Sequence, residues 1–128
     1  MRKEKLPVET GGCLIGTWNT ERCVIQLVCA LPTPPDSKET PTSFVRGFVG
    51  QKAALAVVAE KTAGMLGYVG EWHSHPKWAS TMPSDEDIAL YAWIDQHMDE
   101  EGYPAVMLII GEKGSYTLLI SGEEPTSI

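Results

Sequence analysis

Two histidines one residue apart, His73 and His75, carry the clearest chemical potential in this chain. They sit in Gly67-Tyr68-Val69-Gly70-Glu71-Trp72-His73-Ser74-His75, which reads as an extended run ended by Pro76. Side chains of a strand alternate, so both imidazoles fall on one face about 7 Å apart along the chain, near enough to meet on one metal ion. A hydrogen-bonded surface pair is the plainer reading of His-x-His alone. An acidic ligand is offered a dozen residues downstream, however, where Ser84 is followed by Asp85, Glu86 and Asp87 at the start of a helix. Two neutral imidazoles and a carboxylate with a fourth position open make a catalytic zinc arrangement, whereas closed structural sites usually use cysteine. The chain contains no HExxH, glycine-rich phosphate loop, GxSxG or CxxC.

The elements that must position these groups are legible from period and punctuation. Cys13–Trp18 and Cys23–Ala30 are β-rich runs around the turn-like Asn19-Thr20-Glu21-Arg22, so they are expected to pair antiparallel. Pro32, Pro34, Pro35 and Pro41 mark the stretch up to Ser43 as loop, and Phe44-Val45-Arg46-Gly47 reads as a short strand. From Gln51 to Met65, the positions Ala54, Leu55, Val58, Ala59 and Thr62 share one side of an amphipathic helix. A second helix follows the Ser84 cap through Ile94. Ala105–Ile110 and Tyr116–Ile120 flank Gly111-Glu112-Lys113-Gly114-Ser115 as a hairpin, and a polar tail from Gly122 to Ile128 is expected to be flexible. The order is ββ-α-β-α-ββ, an α/β single domain over residues 1–128.

A length of 128 residues with 43% hydrophobic and 21% charged side chains suits one packed core. Ten Lys and Arg against seventeen Asp and Glu give a net charge of -7, which repels phosphate backbones and anionic lipids, so neither nucleic acid nor membrane is expected as a partner. Met1-Arg2-Lys3-Glu4-Lys5 leads into Leu6-Pro7 without a long apolar run, which gives a cytoplasmic expectation. Cys13, Cys23 and Cys29 lack zinc-knuckle spacing and read as reduced, mostly buried thiols.

Three pieces, taken in order, match a known pattern: Pro7-Val8-Glu9-Thr10-Gly11-Gly12-Cys13-Leu14-Ile15-Gly16, then Gly70-Glu71-Trp72-His73-Ser74-His75-Pro76, then Pro83-Ser84-Asp85-Glu86-Asp87. Together they resemble the JAMM or MPN-plus metalloproteases, particularly the prokaryotic JAB-type members that act on ubiquitin-like modifiers. That family's pattern is a glutamate in a first strand, His-Ser/Thr-His-Pro, then Ser-x-x-Asp, and the resemblance runs from Glu9 to about Ile120. It implies a mixed, mostly antiparallel curved sheet with two packed helices. It also implies one Zn2+ per chain held by His73, His75 and Asp87, with Glu9 as general base and later proton donor to the leaving amine, and Ser84 helping to hold the oxyanion. The implied reaction is hydrolysis of an isopeptide or peptide bond after the C-terminus of a ubiquitin-like modifier, in deconjugation or precursor processing. The implied partner is that modifier or its conjugates, its tail extended beside a strand. A JAB peptidase acting on sulfur-carrier adducts and a non-catalytic MPN-type scaffold are the alternatives; the intact ligand set weighs against the scaffold.

Two positions compete within this assignment. Glu71 shares the histidines' face and rivals Glu9 as base, although a salt bridge or a supporting role behind the ligands suits it better. The family's usual count from His75 selects Glu86 as third ligand, whereas the Ser-x-x-Asp pattern anchored on Ser84 selects Asp87. Asp87 is preferred, because a cap fixes the helix start while the loop from Pro76 to Pro83 absorbs an added residue at small entropic cost. Ser74 points to the opposite face and Cys13 is expected to be a buried strand thiol, so neither is read as a nucleophile. Trp72 alternates with the ligands into the core, Trp78 and Met82 lie in the loop over the site as candidate substrate contacts, and His97 reads as a solvated surface residue.

Overall fold

The direction of one strand pair organises the chain. In the computed structural model, which describes residues 10–19, 21–22, 24–39, 44–45, 49–75, 80–122 and 126–127, β5 (Gly67–Ser74) and β6 (Val106–Ile110) run parallel. A parallel pair needs a crossover, and α2 (Asp85–Glu100) supplies it. All other pairings are antiparallel: β1 (Gly11–Asn19) with β2 (Val24–Ala30) and with β5, and β7 (Tyr116–Ile120) with β6 and with β8 (Thr126–Ser127). The resulting sheet has the order β2-β1-β5-β6-β7-β8, and β3 (Lys38–Glu39) pairs with β4 (Phe44–Val45) in a separate two-stranded ribbon. This is the mixed, mostly antiparallel α/β architecture expected, with α1 (Gln51–Lys61) as the other helix.

Residues directly opposite in a ladder share a face, so the register divides the sheet's two sides. Glu71 stands opposite Met107 and His73 opposite Ile109, whereas Trp72 stands opposite Leu108. On the first side, Ala105, Met107, Ile109 and Leu119 pack with Ile94 of α2, and the half-buried Tyr91 and Met98 join them at helical spacing. On the second, Leu14, Val69, Trp72 and Val106 form a core that Trp18, Ile25, Leu108, Ile110 and Leu118 extend. Since α2 lies on the face that carries His73, its first turn can meet the histidines. Ser121 ties the other end down: its hydroxyl donates to Asp95 of α2 and accepts from the Ala105 amide at 2.7 Å.

Several elements differ from the sequence-based expectation. The first helix stops at Lys61 rather than Met65, because Ala63 and Gly64 both adopt left-handed backbone (φ 54 and 77), and Ala59 on its expected inner side is exposed. The loop after Pro35 contains the Lys38–Glu39 strand. Where a loose tail is expected beyond Gly122, Thr126–Ser127 pairs with β7. Of the thiols expected to be buried, Cys13 is and Cys29 is not, since β2 is an edge strand; Cys23 lies outside the described residues. Among the described residues, no helix is long and apolar enough to cross a membrane.

Ile94 is the one described α2 residue that is fully buried, which makes it the helix's anchor. Ile94→Ala should cost about 2–5 kcal/mol of unfolding free energy by lost burial plus a cavity. Ile88→Ala, at a position 53% exposed, should stay within about 0.5 kcal/mol; chemical unfolding of both variants checks the difference.

Candidate metal centre

The site forms where β5 runs out and α2 begins. Gly11 of β1 pairs with His73, and a side chain at Gly11 would collide with the Trp72 carbonyl and come within 2.8 Å of the His73 Cβ. Only glycine lets the first strand lie this close to the first histidine. Ser74, on the opposite face as expected, is fully buried: its hydroxyl accepts from the Thr10 amide at 3.1 Å, and its own amide donates to the Thr10 carbonyl at 2.7 Å. The backbone next to both histidines is therefore held from the β1 side. From the β6 side, the His75 amide donates to the Ile110 carbonyl at 2.9 Å and extends the ladder one residue past the strand.

Asp87 arrives by way of the helix cap. The Asp87 amide donates to the Ser84 hydroxyl at 3.1 Å, and the Ser84 amide donates back to Asp87 Oδ2 at 2.9 Å, closing a capping box. This fixes the direction of the third helical residue. Asp87 Oδ1 then lies 2.9 Å from His73 Nε2, and Oδ2 lies 2.9 Å from His75 Nε2. The imidazole rings are 5.4 Å apart. One ligand atom from each of His73, His75 and Asp87 lies within 4.8 Å of the others, and both histidines are buried. Glu86 and Asp85 are exposed on the helix's first turn.

The electrostatics suit a cation. Burial opposes the Asp87 anion, but the neighbouring His73 and His75 rings and the Ser84 amide outweigh it and hold the carboxyl well below the usual carboxylate range. His75 Nδ1 faces the Ser80 carbonyl at 2.7 Å. A carbonyl only accepts, so Nδ1 carries the hydrogen, and Nε2, 2.9 Å from Asp87 Oδ2, is the ring nitrogen left to hold a metal. His73 Nε2 is a buried nitrogen without a hydrogen-bond partner, although Asp87 Oδ1 lies 2.9 Å away. Two nitrogens and a carboxylate oxygen converging on one point, with one nitrogen otherwise unsatisfied, are a donor set that accommodates zinc.

Of the other residues singled out by sequence, Ser84 sits at the helix start with an exposed side chain, and Glu9 and Trp78 lie outside the described residues. Glu71 is 4% exposed and accepts the Tyr68 hydroxyl at 2.6 Å, a supporting position on the histidines' face. Trp72 is in the core, with its indole N–H donating to the Leu31 carbonyl at 3.0 Å. Met82 is 73% exposed beside the site's loop. His97 is exposed and packs its ring on Trp93 at 4.0 Å. Sequence reasoning missed Thr10 and Ser80, which act through backbone groups that any residue type carries.

Comparison with known proteins gives the same direction. The chain is 37% identical over 115 residues to a "CD-NTase/cGAS isopeptidase" of Enterobacter hormaechei subsp. hoffmannii (strain UCI 50), covering 88% of this chain and 62% of that protein. It is 29% identical over 105 residues to a protein of the same name from Escherichia coli (strain TW11681), covering 82% of this chain and 63% of that one. The chain thus spans a little over three fifths of the length of these curated relatives. The profile of prokaryotic homologs of the JAB domain matches residues 1–120, and the chain belongs to this family.

Proposed function

We propose that this chain hydrolyses an isopeptide or peptide bond following the C-terminus of a ubiquitin-like modifier, with zinc at His73, His75 and Asp87. The observation that carries the reading is the convergence of two buried imidazole nitrogens and one carboxylate beside an exposed helix start. The names of the two relatives, both isopeptidases, support an isopeptide as the scissile bond. A reducing, cytoplasmic setting fits Cys13 and Cys29, neither of which is in a disulfide among the described residues.

Zinc in such a site supplies Lewis acidity, polarising a carbonyl and lowering the pKa of water to about 7. The chain's own groups do the rest. Asp87 stays ionised and, with the two neutral imidazoles, provides the donor set. Glu9, the chain neighbour of Thr10, takes the proton of the attacking water as general base and returns it to the leaving amine. The Ser84 hydroxyl accepts from the Asp87 amide through a lone pair, which leaves its hydrogen free to donate to the oxyanion that develops on the scissile carbonyl. Glu71 is the weaker base candidate, since the Tyr68 hydroxyl already donates to it and its burial excludes the substrate.

Incubation with fusions and isopeptide conjugates of ubiquitin-like modifiers tests the reading, with cleavage directly after the modifier's last residue as the expected result. The purified chain should carry about one zinc, a chelator should abolish cleavage, and serine- and thiol-directed reagents should not. Metal analysis of single variants sets the register: Asp87→Ala should lose zinc, whereas Asp85→Ala and Glu86→Ala should keep it.

Glu9→Gln should retain zinc and fold but lower turnover by roughly 100-fold or more, the scale of a lost general base. Glu71→Gln should lose much less. Steady-state rates for the two variants at full zinc occupancy decide between the two carboxylates.

A further inference from the structure

The carbonyl that orients His75 belongs to the peptide unit joining Ser80 to Thr81, and that unit is clamped from a distance. Thr117, on β7 and 1% exposed, donates its hydroxyl to the Thr81 hydroxyl at 2.8 Å, across 36 positions of sequence. The Thr81 methyl lies where Gly111 has no side chain: a Cβ there would stand 2.6 Å from Thr81 Cγ2 and collide with the Ser115 hydroxyl. The segment is also closed on itself, with the Met82 amide donating to the Ser80 hydroxyl at 3.2 Å. We propose that the Thr117–Thr81 hydroxyl pair is a positioning latch for the metal centre: it fixes the Ser80–Thr81 peptide so that the Ser80 carbonyl holds His75 Nδ1–H and directs Nε2 to the metal.

The physical argument has three steps. A ligand histidine is oriented by the partner of its other nitrogen, and here that partner is a backbone oxygen in a loop. A loop carbonyl is only as fixed as its peptide plane, which rotates unless the neighbouring residues are held. Thr81 is held at both branches of its side chain, the hydroxyl by Thr117 and the methyl in the space that Gly111 leaves. The hydroxyl bond of Thr117 goes to Thr81, so it acts on the site through Thr81 and Ser80. The latch rests on the zinc reading above and adds to it the residues that set the site's affinity.

Thr117→Val removes the hydroxyl at nearly constant volume, and Thr117→Ser restores it. In chelator-competition titrations with zinc, and with cobalt as the absorbing probe, Thr117→Val should bind metal about tenfold more weakly, the lower end for a supporting hydrogen bond around a metal site. Its cobalt spectrum should be altered as well. Thr117→Ser should return toward the wild-type affinity. Thr81→Val, in a half-buried loop position, should show the same loss and serves if Thr117→Val does not fold. Wild-type affinity and spectrum in the valine variants, or an equal loss in Thr117→Ser, would overturn the latch. Wild-type protein that binds no metal, or that binds it unchanged after Asp87→Ala, would overturn the zinc reading beneath it instead.

Discussion

The parallel pairing of β5 with β6 is the constraint on which the rest of this structure depends. Two neighbouring strands that point the same way oblige the chain to leave the far end of the first and return to the near end of the second. The chain leaves β5 at His73-Ser74-His75, so the crossover element must start near the histidines and travel back across the sheet. That element is α2, and its first turn holds the acids. The packing of Ile94 on Met107 and Ile109 selects the face, which is also the one His73 occupies. The meeting of His73, His75 and Asp87 at this place follows from topology and from which side of the sheet is covered.

Asp87 joins the helix cap to the site. Its Oδ2 accepts from the Ser84 amide and also faces His75 Nε2, while its Oδ1 faces His73. The capping box therefore satisfies orphan amides at the helix start and aims the carboxylate in the same act. A glutamate at this position could close a similar box, but its extra methylene would move the oxygens relative to the histidines. The neighbouring Glu86 is turned about 100° around the helix axis from Asp87 and stands exposed. This is why a count through a loop and a count from the cap can disagree, and why the cap governs where the carboxylate goes.

The legible parts of the fold and site are those specified by local pattern. His-x-His in an extended run, Ser84 three residues before Asp87, and the two hairpins each need only period and cap chemistry to be recognised. Several other features depended on distant groups. The need for glycine at Gly11 shows only in its close approach to His73. Ser80 contributes a carbonyl, which carries no mark of residue type, and Thr117 meets Thr81 only after two strands and a helix have been placed. Cys29 reads as a buried strand thiol, because nothing in Val24–Ala30 announces that the strand is at an edge. The end of α1 escaped because Ala63 takes a left-handed conformation that its type does not suggest.

The buried His73 Nε2 makes no hydrogen bond, although Asp87 Oδ1 lies 2.9 Å away. A buried polar atom without a hydrogen bond costs about 1–3 kcal/mol, a sizeable part of the net stability of a small domain. Among the described residues, the other such side-chain atom is Trp18 Nε1. Rotating the His73 ring away would take Nε2 from the point that it shares with His75 and Asp87. Ser74 and Thr10, bonded to each other on the far face, hold the backbone on either side of this choice. The surrounding structure thus over-determines a locally unfavourable arrangement, which is how a fold keeps a donor atom available for a ligand.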